Sequence, residues 1–139
     1  MIIDASVALK WVIPEPDSAA ADALVPRGDL RAPAILPIEV TYVLSKRVRR
    51  RDMDGRKAQQ AWDEFNRAPL LIAERSTGID KAFSVSLLLG ASLYDCLYLV
   101  MAQDEGDVMV TADQRFARAV RAGPDRRLAD HILTLHEVA

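Results

Sequence analysis

Apolar and polar positions recur along this chain in two periods, and the change from one to the other marks short strands among longer helices. Met1-Ile2-Ile3 is an apolar run ended by Asp4, which predicts a short buried strand. Val7 to Val12 is apolar and predicts a helix, stopped by Pro14-Glu15-Pro16. Asp17 or Ser18 suits the cap of an alanine-rich helix through Leu24, and Arg31-Ala32-Pro33 reads as a short strand. Pro37 suits the first position of a helix from about Ile38 to Arg50, with Val40, Val43, Leu44 and Val48 on one side. In the next helix, about Arg56 to Asn66, Ala58, Ala61, Trp62 and Phe65 fall at i, i+3, i+4 and i+7.

Leu70 to Ala73 predicts a strand. Thr77 then reads as a cap with Asp80 as its capping-box partner, opening a helix whose apolar face is Ile79, Ala82, Phe83 and Leu87 and whose end suits Gly90. Ser92-Leu93-Tyr94-Asp95 reads as a second capping box, for a helix ending near Gly106. Asp107 to Val110 is the next strand, Asp113 starts a helix through about Ala122, and His131 to His136 alternates enough for a last strand. Short apolar strands separated by helices predict an α/β fold, a three-layer sandwich with a mainly parallel central sheet. No repeat or linker divides the chain, and 139 residues suit a single domain, 1–139.

Composition narrows the chemistry. A single cysteine, Cys96, forms no internal disulfide, and no Cys/His spacing suits a structural zinc. Met1-Ile2-Ile3-Asp4 meets a charge at once, unlike a signal-peptide core, and no uncharged apolar run approaches the ~20 residues of a membrane span. The expectation is a cytoplasmic protein with no membrane partner. The net charge of −2 means that any polyanionic partner must be met by a local basic patch or by metal ions.

Four carboxylates take related places. Asp4 ends the first strand, Glu39 and Asp95 lie in first helical turns, and Asp113 stands at a strand-to-helix junction two residues after Thr111. In open α/β sheets ligands bind beyond the carboxyl ends of the strands, where Asp4 and Asp113 would stand. Each acid alone reads more simply as a cap or as a partner for a helix dipole. The set, with Ser6, Tyr94 and Thr111 beside it, is what suggests a site.

The segments Met1-Ile2-Ile3-Asp4-Ala5-Ser6, Pro37-Ile38-Glu39-Val40, Tyr94-Asp95-Cys96-Leu97-Tyr98-Leu99 and Val110-Thr111-Ala112-Asp113 resemble, in order and spacing, the four acidic motifs of PIN domains, and the length resembles VapC toxins. Cys96 stands where the family more often has alanine, and Pro37 lies unusually close before Glu39. The resemblance implies a PIN-like fold and a metal-dependent endoribonuclease, the toxin of a type II toxin–antitoxin pair. It implies that Asp4, Glu39, Asp95 and Asp113 form a catalytic, metal-binding site, with Ser6 and Thr111 as supporting groups. It further implies an RNA substrate, a small VapB-like antitoxin, a homodimer, and dimer or antitoxin contacts on early helices near Trp11, Val12, Trp62 and Phe65.

Clustered carboxylates fit that implication physically. Two unit charges ~4 Å apart repel by about 4 kcal/mol at an effective dielectric of 20, and a cation relieves this. An all-oxygen donor set favours magnesium, with manganese as the alternative. Asp4 and Asp95 are the first candidates for direct ligands. Lys46, Arg47, Arg49, Arg50 and Arg51, and Arg115, Arg118 and Arg121, are candidates for phosphate contacts, though charge runs are more often solvated faces. His131 and His136 read as structural or exposed.

Rival chemistries lack their residues. There is no G-x-S-x-G for a serine hydrolase and no G-x-G-x-x-G or P-loop for a nucleotide. A phospho-accepting Asp4 would want an acid at position 6, where the chain has serine. A PIN domain that binds RNA or a partner without turnover is the alternative of a different class.

Overall fold

The computed structural model describes residues 1–138; Ala139, the last residue of the expected domain, lies outside the described residues. Five short strands form one sheet: β1 (Ile2–Ile3), β2 (Arg31–Ala32), β3 (Leu71–Ile72), β4 (Met109–Thr111) and β5 (Ile132–Thr134). Their order is β3-β2-β1-β4-β5 and every pairing is parallel. The expected mainly parallel sheet is thus wholly parallel. Ile2 is in register with Arg31 on one side and Met109 on the other, and Thr111 with Thr134.

Parallel neighbours need crossovers, and helices supply them. They are α1 (Ala5–Ala8), α2 (Ser18–Asp22), α3 (Leu36–Arg49), α4 (Gly55–Arg67), α5 (Ile79–Leu89), α6 (Leu93–Glu105), α7 (Gln114–Ala122), α8 (Arg126–Ala129) and α9 (Leu135–Val138). A 3₁₀ turn, Leu9–Trp11, continues α1. Ile2, Ile3, Met109 and Val110 are all buried, as strands covered on both faces must be. Each such side chain contributes roughly 1.5–3 kcal/mol by leaving water. In α6, Cys96 to Val100 are buried in unbroken succession, so this helix runs through the core. By contrast α7 is two-faced: Phe116, Ala117 and Val120 turn inward, while Arg115, Arg118 and Arg121 are exposed. Among the described residues no single helix is long and apolar enough to cross a membrane.

Several local expectations are corrected. Thr77 does not cap α5. The cap position is Gly78, in the left-handed region at φ 68°, with a built Cβ only 2.8 Å from Val100 Cγ1. The chain enters α5 pressed against α6, where only glycine fits, and Thr77 is left one residue outside. Asp17 stands at the cap of α2 but at φ 71° and without a capping bond; Ser18 Oγ instead accepts from Glu15 N at 3.1 Å. Pro37 is the second residue of α3, which begins at Leu36, still within the turn whose N–H groups have no helical partner. His136 lies in α9 rather than in the last strand, and His131 precedes β5.

Candidate functional site

Because β1 and β4 are parallel neighbours, Asp4 and Asp113 leave the same edge of the sheet. Asp4 is 3% exposed and caps α1: its Oδ1 accepts from Val7 N at 3.0 Å and from the Ser6 hydroxyl at 2.6 Å. Both of these bonds fall on Oδ1, and the Thr111 hydroxyl also favours the ionised carboxylate. Ser6 Oγ also accepts from Ala112 N at 2.8 Å and lies 3.3 Å from Thr111 Oγ1, which accepts from Asp113 N at 3.0 Å. The two hydroxyls therefore tie the end of β1 to the end of β4. Asp113 caps α7 through Phe116 N at 3.0 Å and is exposed.

α3 and α6 bring the other two acids. Glu39, in the first turn of α3, is partly buried and accepts a hydrogen bond from the Tyr98 hydroxyl. Asp95, in the first turn of α6, is partly buried. The capping box read there is only half formed: Ser92 Oγ accepts from Tyr94 N at 3.2 Å, but Asp95 returns no bond to Ser92. Among the described residues Asp95 has neither a hydrogen-bond donor nor an ion-pair partner, so its reading as a capping-box member loses support, while its place in the first turn of α6, beside the helix dipole, stands.

The electrostatics join the four. Burial pushes Asp4 up to about 6, opposed by the Ser6 and Thr111 hydroxyls and Val7 N–H, with repulsion from Glu39 added. Asp95 also rises to about 6, through burial and then through Asp4 and Asp113. Glu39 is raised by burial and by Asp95, against the Tyr98 hydrogen bond. Tyr98 itself is held protonated by burial and by the carboxylates facing it. Cys96, buried behind Asp95, is pushed up to about 11 and stays a thiol.

No ion pair among the described residues involves any of the four acids. Nor do any three His, Cys, Asp or Glu side chains among those residues stand grouped as they would have to be to hold an ion. The donor set nonetheless suits a hydrated hard cation, because magnesium keeps several waters and takes one or two carboxylates. Arg115 lines a cleft together with Asp95, Asp113 and Ser92.

Two features escaped the sequence reading. Tyr98 has a direct partner in Glu39, and its signal was available, since it lies three residues after Asp95 on the same side of α6. His136 is far in sequence from every acidic motif, yet it lines a cleft with Thr111 and Asp113, and its Nε2 is 3.6 Å from Asp17 Oδ2. His131 is structural as expected, with Nδ1 2.7 Å from Asp107 O. Trp62 stacks on the buried Phe65 at 5.4 Å, and Trp11 Nε1 donates to Ala21 O at 2.8 Å.

The chain belongs to the PIN-domain family: the PIN domain model matches residues 1–122. It is 25% identical over 122 residues to Ribonuclease VapC3 of Pyrobaculum aerophilum, covering 84% of this chain and 92% of that protein. Its fold is that of the crystal structure of PAE2754 from Pyrobaculum aerophilum, with a TM-score of 0.73, 18% identity, and coverage of 98% of this chain and 83% of that one.

Proposed function

We propose that this protein is a metal-dependent endoribonuclease, the toxin of a type II toxin–antitoxin pair, hydrolysing RNA phosphodiester bonds at Asp4, Glu39, Asp95 and Asp113. The observation that carries the reading is the gathering of four carboxylates from distant elements at one sheet edge, two of them raised to about 6, with no cationic side chain paired to them. The PIN-family membership and the likeness to a protein named as a VapC ribonuclease support it. The reading takes 1–139 as one PIN-like domain in the cytoplasm, with a small VapB-like antitoxin and a second copy of the chain as partners.

The arrangement assigns work to the chain's own groups. Asp4 and Asp95 would hold magnesium, or manganese in its place, with Glu39 and Asp113 completing the site through water or directly. Such an ion, when bound, offsets charge on the phosphoryl oxygens and eases ionisation of water. The Ser6 hydroxyl and Val7 N–H fix Oδ1 of Asp4. Tyr98 orients Glu39 as an outer hydrogen bond orients a ligand. Thr111 and Ser6 keep the two strand ends in register. Arg115 places a positive charge at the rim, where an incoming phosphate would otherwise meet only anions.

A binding-only PIN module is the second reading, favoured by the absence of any three such side chains grouped to hold an ion among the described residues. One experiment separates the two. A structured RNA pool is incubated with the chain and with its Asp4→Asn variant, in magnesium, in manganese and in EDTA. Metal-dependent cutting that the variant loses is the expected outcome. Cutting by neither protein, with RNA or partner binding intact in both, selects the binding module.

A further inference from the structure

α3 and α6 border an open cleft of about 560 Å³ that Glu39 lines and that extends away from the other three acids. Its walls are Ile35, Ile38, Tyr42 and Val43 on one side and Tyr94 on the other. Tyr42 is 58% exposed and Tyr94 52%, and among the described residues neither ring stacks on another. Exposed aromatic rings that line a cleft mark a surface where another molecule can pack.

The charges around the cleft say what that is. Ile38, Tyr42 and Lys46 follow one another at i, i+4 and i+8 along α3, rising about 6 Å and turning about 40° per step, and Arg50 stands one step further on, at the helix's C-cap. Lys46 Nζ lies 5.8 Å from the centre of the Tyr42 ring. Among the described residues Lys46, Arg49 and Arg50 have no carboxylate partner, whereas Arg47, on another side of the helix, is taken by Glu15 at 2.7 Å. An occupant that suits this surface has a flat face for two tyrosines and, one helical turn on, negative charge at intervals for the cations. A nucleotide strand has both, and its successive phosphates are spaced much as these cations are. An apolar peptide would leave the cations unused.

Resting on the nuclease reading above, we propose that the cleft between α3 and α6 seats one unstacked base of single-stranded RNA next to the bond to be cut. The phosphates beyond it run along Lys46 and Arg50. A base held in a continuous duplex stays in its stack, so binding through this cleft requires an unpaired nucleotide. The tyrosines favour no particular base, since every base offers a π face.

The test measures binding apart from cutting. Labelled oligouridine, alone and annealed to its complement, is titrated with the chain and with Tyr42→Ala, Tyr42→Phe and Lys46→Ala variants, calcium replacing magnesium. Tyr42→Ala weakens the single strand about tenfold and leaves the duplex unaltered. Tyr42→Phe stays within about twofold, since the ring alone stacks. Lys46→Ala lowers the salt slope by about one. Equal losses on single strand and duplex overturn the proposal, as does failure of the unsubstituted chain to bind oligouridine. A change in oligomeric state by Tyr42→Ala without change in RNA affinity overturns it too, because a second copy then covers the cleft. Tyr42-dependent binding in a chain that cuts nothing leaves this inference standing and removes the nuclease. Cutting with Tyr42-independent affinity does the reverse.

Discussion

The two ends of the central strands treat the same side chain in opposite ways. At the amino-terminal end Asp107 is paired with the Met1 ammonium, accepts from Val108 N at 2.7 Å, and is held below the ordinary carboxylate range: burial raises it, but these bonds and Arg31 outweigh burial. Nearby, Arg31 pairs with Glu105 at 2.7 Å. At the carboxyl end Asp4 and Asp95 rise to about 6, and no cationic side chain answers them. The contrast teaches that this fold neutralises acids where it needs only stability and withholds neutralisation where it gathers them. An unpaired group at such cost is a functional candidate.

The largest expected effect separates the ends by activity. Asp95→Asn should lower RNA cleavage by roughly 100-fold or more while leaving the melting temperature unchanged or raised, since Asp95 accepts no hydrogen bond among the described residues. Retained cleavage would break the comparison on its functional side.

Next comes pH. Between about 4 and 6 the folded chain keeps protons on Asp4 and Asp95 that the unfolded chain has released, so their contribution to stability falls as pH rises through that window. The limit is ~3 kcal/mol for a shift of about two units, and less for Asp95, which solvent reaches. In metal-free buffer an Asp4→Asn/Asp95→Asn variant should match the parent near pH 4 and be the more stable of the two at pH 7. A stability gap that does not widen with pH would show that the acids are neutralised after all. Asp107 carries the opposite sign: its contribution is present above the usual carboxylate pKa and is lost as pH falls through its lowered one.

Tyr98→Phe sharpens the picture within the crevice. Among the described residues its hydroxyl bonds only Glu39, so cleavage should drop about tenfold with kcat affected more than KM, and stability should change by about 1 kcal/mol. An unchanged rate would reduce Tyr98 to packing. The smallest effect belongs to the other end: Asp107→Asn should cost about 1 kcal/mol in urea titration and leave cleavage intact. Loss of cleavage there would blur the two regions into one.

Much of this was readable from the chain. The strand at Met1-Ile2-Ile3, the helices over α3, α4 and α7 and the order of the acidic motifs follow from period, turn residues and spacing, because these are local properties. The convergence of Asp4 with Asp113 was inferable only through the resemblance, since it depends on β1 and β4 being neighbours across more than one hundred residues. Failures came where tertiary contact overrode a local rule. Thr77 and Asp80 spell a capping box, yet the approach of Val100 makes Gly78 the cap. Ser92 and Asp95 spell another, and Asp95 turns away from it. Tyr42 and Tyr94 read as unremarkable positions because a cleft between two helices has no signature in either one.

The strand order also sets a schedule for synthesis. β1 leaves the ribosome first, but one of its two neighbours, β4, is made roughly a hundred residues later. At about 5–20 residues per second, Asp4 waits on the order of 5–20 s before Asp95 and Asp113 exist to stand beside it. A nascent chain therefore carries no assembled crevice. The crevice can act on nothing until β4 and the start of α7 have been made and packed beside β1.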